Sequence, residues 1–218
     1  CTGDAEVSAA DVGNNCKEYT GDIFSINNVW DIFQKNGEAL KADFDLLTKG
    51  KKSQALSRSN TVIGKMNLIF VEKGAKIEAS TFNTNGGPIY IDKNAEVMEG
   101  SLVRGPFSLG EESVLKLGAK VYGPTTIGPH SKVGGEVNNS VIFGYSNKAH
   151  DGFIGNTVIG EWCNLGADTN TSNLKNNYGT VKLFNYQSNA GKDTGLQFCG
   201  LIMGDHSKCG INTMFNTG

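Results

Sequence analysis

A chain of 218 residues can bury a substantial core, and its net charge of −2 at pH 7 supplies no basic field to gather nucleic acid. No apolar run approaches the roughly 20 residues a membrane helix needs, so neither nucleic acid nor membrane is expected as a partner. The 29 glycines against 4 prolines point to many tight backbone corners rather than a disordered linker. The five cysteines (Cys1, Cys16, Cys163, Cys199, Cys209) contain no CxxC pair and fit reduced thiols in a cytoplasmic protein.

In chain order, residues 1–21 show no periodic signal and read as the tail of a preceding domain; the start at Cys1 suggests a piece of a longer protein. Two helical stretches are predicted between Asp22 and Gly50. The first rests on the spacing of Ile23, Ile26 and Trp30. The second rests on Leu40, Phe44 and Leu47, with Gly50 as its stop. A basic polar connector, Lys49–Asn60, follows. Residues 1–61 are thus expected to be a domain tail plus a helical arm, and residues 62–218 a second domain, truncated at its C-terminus.

From Val62 onward an internal period organises the chain. Aliphatic residues recur every six positions, at Val71, Ile77, Ile91, Val97, Val103, Leu109, Leu115, Val121, Ile127 and Val133. A small residue stands four after most of them: Ala75, Thr81, Ala95, Ser101, Ser113, Ala119, Thr125 and Ser131, with Phe107 and Val137 as exceptions. Six is neither the helical period of 3.6 nor the strand period of 2. The small residue lies two before the next aliphatic one, so the pair shares a strand face. Each hexad then supplies one large and one small inward side chain before a corner, and three hexads close a triangular coil. The spacing predicts an all-β, parallel β-helix. A phase slip is expected at Asn139–Ser140, after which Val141, Asn147, Phe153, Ile159 and Leu165 resume the aliphatic place, with Thr157, Cys163 and Thr169 as small partners. Two insertions, Asn83–Pro88 and about Thr171–Gly195, are expected as loops outside the coil, where binding tends to reside.

In this register His150 occupies an outward place at a coil corner. An imidazole there suits a general base at neutral pH. The default alternative is a solvated surface histidine. His130 and His206 stand at the same kind of place in other coils, no ligand spacing joins the three, and no metal is expected.

The stretch "SNKAHDGFIGNTVIGEWCNLGADTNTSN" resembles the acetyltransferase domain of the bifunctional N-acetylglucosamine-1-phosphate uridyltransferase / glucosamine-1-phosphate N-acetyltransferase family, most nearly its Bacteroidetes-type sugar nucleotidyltransferase relatives. The resemblance runs through the repeat from about Gly64 and is specific between Gly134 and Asn177. It implies a left-handed coil and a homotrimer. It implies His150 as catalytic base, with Glu136 as the carboxylate near it. Asn164 and Asn173 match asparagines at the sugar and acetyl-CoA groove, and the Ala167 N–H falls where the thioester carbonyl would be met. Phe153 stands where the family has tyrosine. Asn138 or Asn139 stands where it has a phosphate-binding lysine, and Gly179 stands near a second such lysine, with Lys175 and Lys182 close by. Arg104 is the one candidate for the family's phosphate-binding arginines. The implied activity is acetyl-CoA-dependent N-acetylation of an amino-sugar 1-phosphate, with acetyl-CoA as co-substrate, in the C-terminal part of a sugar-1-phosphate nucleotidyltransferase. The alternatives are a non-catalytic trimerising or regulatory module of such an enzyme, and a structural solenoid.

Overall fold

Aliphatic side chains six residues apart share one interior only if the chain turns through about a third of a circle in each hexad, and that is what the backbone does. The computed structural model describes residues 19–218. From Thr61 the chain winds as a left-handed parallel β-helix of about 6 turns. Its three faces are parallel sheets. The first carries Thr61–Ile63, Thr81–Asn83, Leu102–Arg104, Lys120–Tyr122, Glu136–Asn138 and Phe153–Gly155. The second begins at Ile69–Val71 and the third at Lys76–Ile77.

The inward columns are closed. Val97, Leu109, Leu115, Ile127 and Val133 are each no more than 2 % exposed. The small inward residues join successive coils as well as filling corners. The Ser131 amide donates to Ser113 Oγ (2.9 Å), that of Ser146 to Ser131 Oγ (3.1 Å) and that of Cys163 to Ser146 Oγ (3.0 Å). Buried hydroxyls are thereby satisfied rather than stranded.

The structure corrects the predicted register at two places. Near the start, Ser80 and Phe82 are the inward pair rather than Thr81, since Phe82 pairs with Val62 below and Val103 above. The larger correction follows Val133. Val103 pairs with Val121, eighteen residues on, but Val121 pairs with Val137, only sixteen on, and Val137 with Ile154, seventeen on. The corner Gly134–Gly135 is therefore two residues short, and one further residue is lost between Val137 and Ile142, at the Asn139–Ser140 corner where the sequence predicted the slip. The inward residues of the next coil are Val137, Ile142 and Lys148, followed by Ile154, Ile159 and Leu165. Val141, Asn147 and Phe153, predicted inward, face out.

The two predicted helices are one, α1 (Asp31–Thr48). Ile23 and Ile26 lie outside it and are exposed. The Asp31 carboxylate accepts from the amides of Asn27 (2.8 Å) and Asn28 (3.0 Å), which turns the chain into the helix only at residue 31. Gly50, at φ 72°, lies just past its end as expected. The helix lies on the outer side of the second sheet. Asn36 Nδ2 donates to the Pro124 carbonyl (3.1 Å), Thr126 Oγ1 donates to Asn36 Oδ1 (2.8 Å), and Gly37 passes so close that a Cβ would lie 2.8 Å from Pro124. Trp30 and Phe33 at its start pack with Val141 and Val158, while Phe44 near its end is buried beside Tyr90 and Phe107. An 18-residue helix is about 27 Å long, close to the span of five coil spacings of about 4.8 Å, so α1 runs down the sheet against the direction of winding.

The polar segment after Thr171 is not a solvated loop. It returns through an antiparallel hairpin (Lys182–Asn185 with Ala190–Asp193) whose Val181 and Leu183, with Cys199, bury against Trp30 and Val158. Winding then resumes at Ile202–Met203, which pairs with Val158–Ile159. Among the described residues Cys163, Cys199 and Cys209 are free thiols; burial pushes that of Cys199 up to about 11. Cys1, Cys16 and the expected domain tail lie largely outside the described residues.

Candidate active site

Parallel winding without register shift places equivalent corners of successive coils one above another. Asn147 pairs with Asn164, seventeen residues on, and Asn164 with Lys208. His150 and Ala167 therefore occupy the same corner, between the third and first sheets, in adjacent coils. His150 is exposed and, among the described residues, its imidazole has no hydrogen-bond partner. The amides on either side of Ala167 are tied between coils: Gly166 N donates to the Cys209 carbonyl (3.1 Å) and Asp168 N to the Asp151 carbonyl (3.1 Å). The Ala167 amide itself donates to no acceptor among the described residues. An unpartnered imidazole thus stands one coil from an unpartnered, backbone-fixed N–H.

Three more candidates border this corner. Asn164, on the third sheet, accepts from Asn147 Nδ2 (2.8 Å) through Oδ1, leaving its own Nδ2 without a protein acceptor among the described residues. The Asn147 Oδ1 is buried and has no partner among the described residues. Glu136 begins the first-sheet strand, and its amide donates to the Gly152 carbonyl of the histidine turn (3.2 Å). Its carboxylate is held by the Tyr122 hydroxyl (2.5 Å), a bond that pushes the phenol up to about 12. Phe153 pairs with Glu136 and opens the next coil. Its ring folds over Gly155, where an added Cβ would lie 2.5 Å from the ring.

Asn173 and Lys175 are not at this corner. Asn173 stands at the far end of the first sheet's strand, stacked on Asn156 with Nδ2 donating to its Oδ1 (2.9 Å). The width of a short strand, about 10 Å, separates the two corners within one chain. Only the Phe153 ring bridges toward it, since the same Gly155 Cβ would lie 2.7 Å from Asn173 Nδ2. Lys175 Nζ is occupied by the Thr180 carbonyl (3.2 Å).

One residue of this corner escaped the sequence reading. Lys148, 3 % exposed, lies inside the coil between Val133 and Leu165. Its Nζ donates to the carbonyl of His150 (2.5 Å). Burial pulls its ammonium down to about 8, against the opposing pull of Asp151 and Asp168. The signal was present in "NKAH", but a register one residue out assigned the inward place to Asn147. Among the described residues no group of three or more His, Cys, Asp or Glu is arranged to hold a metal, and no helix is long and apolar enough to cross a membrane.

Residues 2–52 match the family model described as sugar nucleotidyl transferase, a span that includes all of α1. The chain is also 36 % identical over 83 residues to the "Bifunctional protein GlmU" of Methanocaldococcus jannaschii; the match takes in 38 % of this chain and spans about a fifth of that relative's length. The chain is therefore a left-handed hexapeptide-repeat β-helix, covered along one face by a helix that lies within the residues matching the sugar nucleotidyl transferase family model.

Proposed function

We propose that this β-helix transfers an acetyl group from acetyl-CoA to the amine of an amino-sugar 1-phosphate, and that it does so within a protein that also transfers a nucleotidyl group to a sugar 1-phosphate. The observation that carries the reading is the pairing of an unpartnered imidazole at His150 with the unpartnered amide of Ala167 on the adjacent coil. The relative's printed description, bifunctional, agrees with two activities in one protein.

The chemistry follows from those groups. The amine nitrogen attacks the thioester carbonyl carbon, and the His150 imidazole takes the proton that the nitrogen sheds. Negative charge gathers on the carbonyl oxygen, where the Ala167 N–H is fixed by its tied neighbours and stabilises it without reorganisation. Collapse breaks the carbon–sulfur bond, and the departing thiolate takes the proton back from the imidazolium. Asn164 offers a neutral amide donor to a sugar hydroxyl or a pantetheine amide, and Glu136 supports the turn beneath the histidine. With Asn173 and Lys175 on the other corner, their part in this site would come from a neighbouring copy. That agrees with a homotrimer in which the first and third faces, free of α1, meet. A cytoplasmic location fits the substrates proposed.

Wild-type protein incubated with acetyl-CoA and glucosamine 1-phosphate should release free thiol and yield the N-acetyl product. Failure to transfer to any amino-sugar phosphate, together with failure to bind acetyl-CoA by calorimetry, would overturn the reading in favour of a trimerising or regulatory module.

A further inference from the structure

A lysine inside a solenoid is an expensive way to fill space. The positions directly below and above Lys148 are Val133 and Leu165, and a leucine or methionine would continue the column without desolvating an amine. Among the described residues its ammonium has no carboxylate within ion-pair distance and one hydrogen bond, to the His150 carbonyl. Room for that bond comes from the coil below, where the corner is cut to Gly134–Gly135. A Cβ on Gly135 would lie 3.0 Å from the His150 carbonyl oxygen and 2.7 Å from that of Gly152, and one on Gly134 would lie 2.4 Å from that of Ala149. The glycine corner and the lysine therefore act on one turn, residues 149–152, in which the His150 carbonyl meets the buried lysine, the Asp151 and Gly152 carbonyls accept from the coils above and below, and the imidazole of His150 is exposed.

We propose that Lys148 is a positioning residue, which from inside the coil holds the carbonyl of His150 and so fixes the turn that presents the imidazole outside. This deepens the acetyl-transfer reading and rests on it for its kinetic consequence, but the tether itself can be measured without turnover. Four methylenes pass through the apolar interior and let the amine reach a carbonyl two residues along the chain. A side chain as short as serine or threonine at this inward place would stop short of it. The cost of burying the amine is retained because the turn has no other side-chain anchor among the described residues.

The test is the Lys148→Met variant, which keeps the apolar stem and removes the donor, measured in the full chain beside wild type. Backbone amide exchange of Glu136 and Asp168, whose N–H groups donate to the Gly152 and Asp151 carbonyls of the turn, should quicken at least 10-fold, while that of 130–133 and 163–166 stays within 2-fold. With acetyl transfer as readout, kcat should fall about 10- to 100-fold with the KM for acetyl-CoA changed less than 3-fold, because binding groups elsewhere are untouched. Lys148→Gln, whose donor is one bond shorter, should recover part of both effects, and it serves if the methionine variant does not fold. Unchanged exchange at Glu136 and Asp168 in a folded variant would overturn the tether. Faster exchange with unchanged kcat would show a tether that does not serve catalysis. Absence of transfer by wild type would sink the acetyl-transfer reading alone and leave the exchange result to decide on Lys148.

Discussion

Two stretches of the same β-helix behave differently. From Ile91 to Val133 every sixth residue is an inward aliphatic, and coils repeat every eighteen residues. From Gly134 to Thr171 the coils shrink to fifteen to seventeen residues, a glycine pair cuts one corner, and a lysine replaces an aliphatic in the core column. The first stretch is spent on packing. The second gives up packing regularity exactly where an exposed histidine, a free amide and two asparagines collect. Departures from consistency tend to fall at functional sites, because a site needs geometry that the repeat alone does not supply.

The sharpest way to break that contrast is a core truncation in the regular stretch. Leu115→Ala removes a fully buried side chain from a column that cannot collapse. It should lower unfolding stability by about 2–5 kcal/mol in denaturant titration, and a cost below about 1 kcal/mol would deny the closed core. Next in size is the effect of pH on Lys148. Its folded value lies near 8, below the ordinary lysine value of 10.5, so between those values the unfolded chain holds more protons and stability rises with pH. Relative to Lys148→Met, wild type should gain about 3 kcal/mol on going from pH 7 to pH 11, and an unchanged difference would put the amine in water.

His150→Ala sets the two stretches apart by function. Acetyl transfer should fall about 100-fold or more, while thermal denaturation shifts by no more than about 0.5 kcal/mol, since an exposed side chain leaves no cavity. Gly135→Ala tests the cut corner. With φ at 73° and two carbonyl oxygens within 3.0 Å of the new Cβ, it should cost about 1–3 kcal/mol, whereas Gly118→Ala, at φ 66° with open space around it, should cost about 1 kcal/mol. The smallest effect is expected for Asn164→Ala, a rise of a few-fold in a substrate KM with stability within about 1 kcal/mol.

The hexad period was legible because it repeats a single physical demand, one large and one small side chain turned inward per strand. The register after Val133 was not, and the reason lies in particular residues. Val141–Ile142 and Val158–Ile159 are adjacent aliphatic pairs, and adjacency hides which member faces in. Both are buried in the fold, Ile142 and Ile159 in the coil and Val141 and Val158 under Trp30 and Phe33 of α1. A strand covered on both sides loses the alternation from which a face is read. Ile23 and Ile26 show the converse, a helical spacing with no partner to bury it, and so no helix.

Of the candidate site, His150, Glu136, Phe153, Asn164 and Ala167 came from the resemblance of the stretch around His150, and the stacking of coils turns their sequence spacing into spatial adjacency. Asn173 came from the same resemblance, and spacing along the chain records the coil a residue belongs to but not which of three corners it occupies.

By itself the sequence determined the coil, its interior columns from Ile91 through Val133 and the outward place of one histidine, since each follows from local periodicity and side-chain type. Only the tertiary structure decided that α1 lies along the second sheet, that the polar insertion closes over Val158, and that Lys148 reaches from inside the coil to the turn of His150. Those arrangements depend on which surfaces are left to bury once the coil has closed. That is a property of the assembled faces and of no single segment.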